Sequence, residues 1–181
     1  FTFDGSTANE WIDCIGVDKN YRFEGCTLNG GSIFTGEYIF SRNSGTKVSI
    51  DGVEYTYTEK YWKNAVDNVA ITSTTAALQQ ALADGDNVVL ANDIAVEKSD
   101  AGSNGYGATG ISQLNGGVID GNGNDISVNA WGTWDSAINT TGGTIKNLNV
   151  TGGMRGIFVN HNSSYSDKVI LENVTIDGTV Y

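Results

Sequence analysis

The sequence predicts an all-β chain wound as a single-stranded parallel β-helix, a solenoid closed at one point by a short capping α-helix. Three observations predict it: a phrase that returns at a fixed offset, Gly or Asn at one corner slot of every copy, and a composition low in charge and free of proline. Asn115-Gly116-Gly117-Val118-Ile119-Asp120-Gly121 lies over Thr141-Gly142-Gly143-Thr144-Ile145-Lys146-Asn147 at an offset of 26 residues, and the same offset again reaches Leu171-Glu172-Asn173. The last two copies continue alike, as Leu148-Asn149-Val150 and Val174-Thr175-Ile176. A fixed period of this length marks stacked units, each of which buries its apolar face only against the next.

Within each copy an apolar residue ends one strand, two residues turn the chain, and a short strand follows with alternate residues pointing inward. The second corner position is Gly121, Asn147 or Asn173, the residue types that enter the left-handed region at least cost. The first corner position runs Asp120, Lys146, Glu172, so its sign alternates and ion pairing between coils is expected. Asn147 above Asn173 predicts a side-chain ladder. Looser copies lie earlier, at Phe23-Glu24-Gly25 and Ile50-Asp51-Gly52, with a truncated one at Phe3-Asp4-Gly5. Their corner residues are Gly25 and Gly52.

The one helical pattern spans 74–84. Thr74 or Thr75 caps its first turn, Leu78 and Leu82 form a narrow apolar stripe, and Gly85 ends it in a left-handed cap. It stands just before the apolar run Val88-Val89-Leu90, where it is suited to cover the open end of a solenoid. The expected organisation is therefore late-type β-helix coils over 1–57, with Val48–Tyr55 as a finishing rung, a linker over 58–73, and the opening of a β-helix over 74–181. That order is inverted. It fits two partial solenoids in tandem, a permuted order, or an open last coil that meets the first strands of another copy, which predicts end-to-end self-assembly. A fragment boundary is an equal reading, and the start at Phe1 fits a processed, excised or engineered chain.

The chain has 181 residues, of which 39% are hydrophobic and 17% charged, with 24 Gly and no Pro. Ten Lys and Arg against 21 Asp and Glu give a net charge of −11, a surface that repels phosphate backbones and anionic lipid. Nucleic acid is not an expected partner. No apolar run approaches the roughly 20 residues of a membrane helix, so membrane insertion is not expected either. Cys14 and Cys26 fit one disulfide or two buried thiols, and the second reading is favoured because Cys packs as a small hydrophobe.

Gly105-Tyr106-Gly107-Ala108-Thr109-Gly110 spells a dinucleotide-binding phrase, but no helix pattern follows it, and a flexible loop is expected instead. Asp120-Gly121-Asn122-Gly123-Asn124-Asp125 begins like a calcium loop and then fails, with Asp125 where Gly is required and Trp131 where Glu is required. No metal, cofactor or catalytic residue is assigned. His161, the sole histidine, has no Ser, Cys or second His placed to form a relay. The aromatic residues are the candidate binding surface. Trp131 and Trp134 lie in one excursion between coils and Tyr106 in another, and with Arg155 and His161 they are the expected platform for sugar rings. The competing expectation is that both Trp side chains fold back over the solenoid flank. Asn139, Asn149, Asn162 and Asn173 each begin an Asn-x-Ser/Thr sequon, a pattern that arises by chance in an Asn/Thr-rich repeat.

The stretch from Ala76 to Tyr181, through AALQQALADGDNVVLANDIAV, GGVIDGNGNDISV and KVILENVTIDGTVY, resembles the right-handed parallel β-helix domains of the pectin-lyase-like superfamily. Within it the chain is most similar to noncatalytic members that serve as phage fibre or virion-surface proteins and as bacterial surface proteins. The resemblance implies a structural or adhesive role outside a virion or cell. The alternative it offers is a secreted polysaccharide lyase or glycoside hydrolase. A lyase needs a basic residue beside carboxylate-bound calcium, but the three arginines, Arg22, Arg42 and Arg155, lie far apart in sequence, and no Asn-x-Asp, Asp-Asp or Gly-His-Gly phrase matches the hydrolases. Carboxylates paired for glycoside cleavage are not evident either.

Overall fold

The computed structural model describes residues 2–4, 20–23, 27–29, 44–45, 47–50, 53–103, 105–129, 132–160 and 168–177. Cys14, Gly25, Cys26, Gly52, Trp131 and His161 lie outside them. Among the described residues the chain is mostly β-strand with one α-helix, and its sheets are parallel or mixed.

The strands before the helix are β1 (Thr2–Asp4), β2 (Asn20–Phe23), β3 (Thr27–Asn29), β4 (Lys47–Ile50), β5 (Val53–Thr58), β6 (Tyr61–Asn64) and β7 (Val69–Thr72). Helix α1 (Thr75–Ala83) follows. After it come β8 (Asn87–Leu90), β9 (Ile94–Val96), β10 (Gly102–Ser103), β11 (Ala108–Gln113), β12 (Val118–Asp120) and β13 (Asp125–Val128). The last four are β14 (Ser136–Thr140), β15 (Gly143–Gly152), β16 (Arg155–Val159) and β17 (Val169–Asp177).

Beyond the helix the chain visits three parallel ribbons in a fixed order. The first joins β8, β12, β15 and β17, with Val88, Ile119, Ile145 and Leu171 in one register row. The second joins β9, β13 and the later halves of β15 and β17, aligning Ile94, Ile126, Val150 and Ile176. The third joins β11, β14 and β16, aligning Ile111, Ile138 and Ile157. Apart from Leu171, the residues of these rows belong to or pack against one apolar core, and the repeat predicted the Ile119, Ile145, Leu171 row. Leu171 is half exposed, because β17 pairs only with β15 among the described strands.

The corners work as expected at two of three positions. Asn147 and Asn173 adopt φ of 50° and 52°, so β15 and β17 bend without ending. Gly121 does not enter the left-handed region; Asn122 and Gly123 do, at 53° and 84°. Gly121 is required for space instead. A Cβ there would overlap the Asn147 carbonyl oxygen and sit 2.8 Å from Leu148 Cα. The Asn ladder is present: the Asn173 amide donates to Asn147 Oδ1 at 3.1 Å, and the Asn147 amide donates to Asp120 Oδ1 at 3.1 Å. Lys146 Nζ lies 3.2 Å from Asp120 Oδ2, as the alternating charges predicted. Desolvation pushes the Asp120 carboxyl up, but the Asn122 N–H, the Asn147 amide and Lys146 outweigh it and hold it below its ordinary value.

Helix α1 matches its expected bounds and caps. Thr74 Oγ1 accepts the Ala77 N–H at 3.2 Å. At the other end Gly85 has φ 78°, and the Asp86 and Gly85 N–H groups bond the Ala81 and Leu82 carbonyls, a Schellman closure. Ala77, Leu78, Ala81 and Leu82 are buried in the same core as Val88, Ile94 and Ile111, so the helix covers the apolar rows where they begin.

The region before the helix differs from expectation. Residues 58–73, expected as a linker, hold β6 and β7, and β5, β6 and β7 pair antiparallel before β7 joins β8 in parallel. The expected finishing rung at Val48–Tyr55 is an antiparallel pair, β4 with β5, in which Val48 faces Tyr55. A strand, two-residue corner, strand phrase serves equally well as a hairpin, and Asp-Gly is a strong hairpin signal. The turn from β6 to β7 carries no such signal. There Asn64 Oδ1 accepts the Val66 N–H at 3.0 Å, and Asn68 supplies the left-handed residue at φ 53°.

Candidate functional site

The third ribbon brings three separated loops together. Because β11, β14 and β16 run parallel in register, the segments that lead into them arrive at the same end of the ribbon. Tyr106 and Gly107 precede β11, Trp134 and Asp135 precede β14, and Arg155 opens β16. Local bonds lock this junction. Asp135 Oδ1 accepts the Ala108 N–H at 2.8 Å, the Arg155 N–H donates to the Asp135 carbonyl at 3.0 Å, and the Trp134 N–H lies 3.3 Å from Met154 Sδ. Gly107 must be glycine, since a Cβ would run into the Trp134 backbone and the Asp135 carboxylate. The dinucleotide-like phrase is therefore no flexible loop throughout. Its second half is β11, and Gly110 admits the Ala137 carbonyl and the Val128 side chain.

Tyr106, Trp134, Arg155 and Phe158 line a cleft of about 400 Å³. The Arg155 guanidinium lies between two aromatic faces, 4.8 Å from the Trp134 ring centroid and 4.6 Å from that of Phe158. The Tyr106 ring stands edge-on to Phe158 at 6.0 Å and 83°. Tyr106 is 70% exposed and Trp134 54% exposed, so both keep accessible surface even though the Trp134 ring lies over Arg155. Arg155 is the reverse. It is 9% exposed, and its Nη1 is buried without a hydrogen-bond acceptor. Trp134 adopts φ 75°, in the region that disfavours a bulky side chain.

Of the five residues expected to bind a ligand, the fold joins Tyr106, Trp134 and Arg155; Trp131 and His161 lie outside the described residues. Phe158 was missed. Its signal is period two along Gly156-Ile157-Phe158-Val159: Ile157 sits in the core row of Ile111 and Ile138, so Phe158 falls in the other phase of the strand.

Among the described residues, no group of three or more His, Cys, Asp or Glu side chains converges as a metal site, and no helix is long and apolar enough to cross a membrane. In the corner Asp120–Asp125 both carboxylates have protein partners: Asp120 Oδ1 accepts the Asn122 N–H at 2.9 Å, Asp120 Oδ2 pairs with Lys146, and Asp125 Oδ1 accepts the Asn149 amide at 2.7 Å. Of the sequons, Asn139 is buried within β14, whereas Asn149 and Asn173 are exposed. Comparison with known proteins gave no match: no family model, no curated protein and no solved structure is significantly similar to this chain.

Proposed function

We propose that the three ribbons are the faces of a right-handed parallel β-helix, and that the protein is a non-enzymatic structural or adhesive module on a virion or cell surface which grips glycan through the Tyr106, Trp134, Arg155, Phe158 cleft. The observation that carries the glycan reading is the pair of exposed aromatic side chains beside an arginine held between rings. A sugar ring presents an apolar face that stacks on Trp or Tyr and hydroxyl groups that bond a guanidinium. The cleft volume lies in the range of small-ligand sites. Its position suits adhesion, since the loops that carry it are held by strand pairing and need no closure to assemble. The solenoid reading rests on parallel registers that recur along three ribbons in a constant order.

The test is retention on an array of neutral and acidic glycans, with Trp134→Ala beside the wild type. Wild-type retention and at least a tenfold loss in the variant are expected, without release of reducing ends or unsaturated product. Turnover of any bound polysaccharide would establish the lyase or hydrolase alternative, and no retention on any glycan would end the adhesive reading.

A further inference from the structure

Building on the glycan reading, we propose that the cleft selects a sugar bearing a single carboxylate, which pairs with the Arg155 guanidinium while the ring lies against Trp134 and Tyr106. The first support is an unanswered charge. Arg155 is nine-tenths buried, Nη1 has no acceptor, and among the described residues no ion pair reaches the side chain. A buried cation without a counter-charge keeps its desolvation cost, and the two aromatic faces offset only part of it. The acceptor that answers both the charge and the planar fork of donors is a carboxylate. A neutral sugar hydroxyl satisfies a hydrogen bond and leaves the charge alone.

The second support sets how many acid groups the ligand carries. The chain bears a net charge of −11, so a polymer with an acid group on every unit meets repulsion along its length. A lone carboxylate does not, because its short-range attraction to Arg155 outweighs more distant charges that salt screens over roughly 8–10 Å. The class is a glycan with a single acid group in the segment that the cleft holds, its neighbouring units neutral, distinct from a polyuronate.

The third support is the way in. Nη1 is covered, and one of the faces over the guanidinium is the Trp134 indole, half exposed and carried on a left-handed residue. Phe158, on the other face, is anchored within β16. The indole is the side that shifts to admit an acceptor, so binding changes its fluorescence.

Two sources supply this chemistry: a uronic acid, with its carboxylate on C5, and a nonulosonic acid, with its carboxylate on the anomeric carbon. The experiment titrates the chain with methyl β-glucuronoside, the methyl α-glycoside of N-acetylneuraminic acid and methyl β-glucoside, followed by calorimetry and tryptophan fluorescence. One acidic glycoside is expected to bind at least tenfold more tightly than the glucoside, with an advantage that shrinks as salt rises, and the acid that binds identifies the source. Arg155→Gln abolishes that advantage, and Arg155→Lys keeps part of it. The wild-type ratio of acidic to neutral affinity tests the proposal even where a variant does not fold. Equal affinities overturn the carboxylate assignment, as does no binding by any of the three. Retention of neutral glycans on the array then leaves the glycan reading standing, whereas an empty array removes both.

Discussion

Residues 87–177 and residues 53–72 feed the same sheet by opposite routes. After the helix, β8, β12, β15 and β17 join in parallel, and the chain must travel through two other ribbons before each new strand is laid down. Before the helix, β5, β6 and β7 join antiparallel through short turns. Parallel neighbours need a crossover of a dozen residues or more, so they leave a long period in the sequence; antiparallel neighbours need only a turn and leave none. A search for repeats therefore finds the first region and passes over the second, and a stretch without repeats is not thereby a linker.

The two regions also differ in what holds them. The parallel stack rests on continuous rows of aliphatic side chains, with Ile119, Ile126, Ile138 and Ile145 fully buried. The antiparallel strands share that core through Tyr61 and Ala70 and add a polar cluster at the C-terminal end of the helix. The Tyr61 hydroxyl lies 2.8 Å from Asp84 Oδ2 and 2.9 Å from Asp86 Oδ2, and Lys63 Nζ lies 2.6 Å from Asp86 Oδ1. One phenolic proton thus serves two carboxylates, and burial, reinforced by both aspartates, pushes the Tyr61 pKa well up.

If aliphatic rows carry the stack, Ile145→Ala gives the largest effect, a loss of about 2–5 kcal/mol in urea denaturation. A loss under about 1 kcal/mol would mean that the row is not what holds the ribbons. Tyr61→Phe comes next. It removes the one donor shared by Asp84 Oδ2 and Asp86 Oδ2, leaving Asp84 only Gln80 and Asp86 only Lys63, and a loss of about 1–3 kcal/mol is expected by the same measurement. An unchanged midpoint would place the attachment of the hairpins elsewhere.

The smallest effect is at the corner ladder. The folded pKa of Asp120 is lowered, so its contribution is full above its unfolded value of about 4 and is lost as pH falls through the folded value. Solvent screening keeps it under about 1 kcal/mol. Asp120→Asn is expected to flatten that part of the acid limb in a pH series of denaturation curves. An unaltered limb would show that the ladder contributes shape without stability.

The helix bounds, the Leu78 and Leu82 stripe, the Ile119, Ile145, Leu171 row and the Asn147 to Asn173 ladder were all legible, because each depends on residues close in sequence or on one repeated spacing. Gly121 was legible as a corner but for the wrong reason. Its need for space arises from Asn147 and Leu148 in the next copy, and no local pattern encodes that. The Asp-Gly at Asp51-Gly52 was ambiguous, since the same two residues suit a solenoid corner and a hairpin turn, and only the direction of pairing between β4 and β5 separates them.

The candidate site divides in the same way. The sequence by itself determined that Tyr106, Trp134 and Arg155 sit in loops or at strand starts beside a repeating apolar core, because side-chain period and turn chemistry are local. Only the tertiary structure decided that these three positions meet, that Phe158 joins them, and that the arginine lies buried between two rings. The reason is register: parallel pairing of β11, β14 and β16 stacks residues far apart in the chain, and excursions of unequal length between strands conceal which positions will coincide.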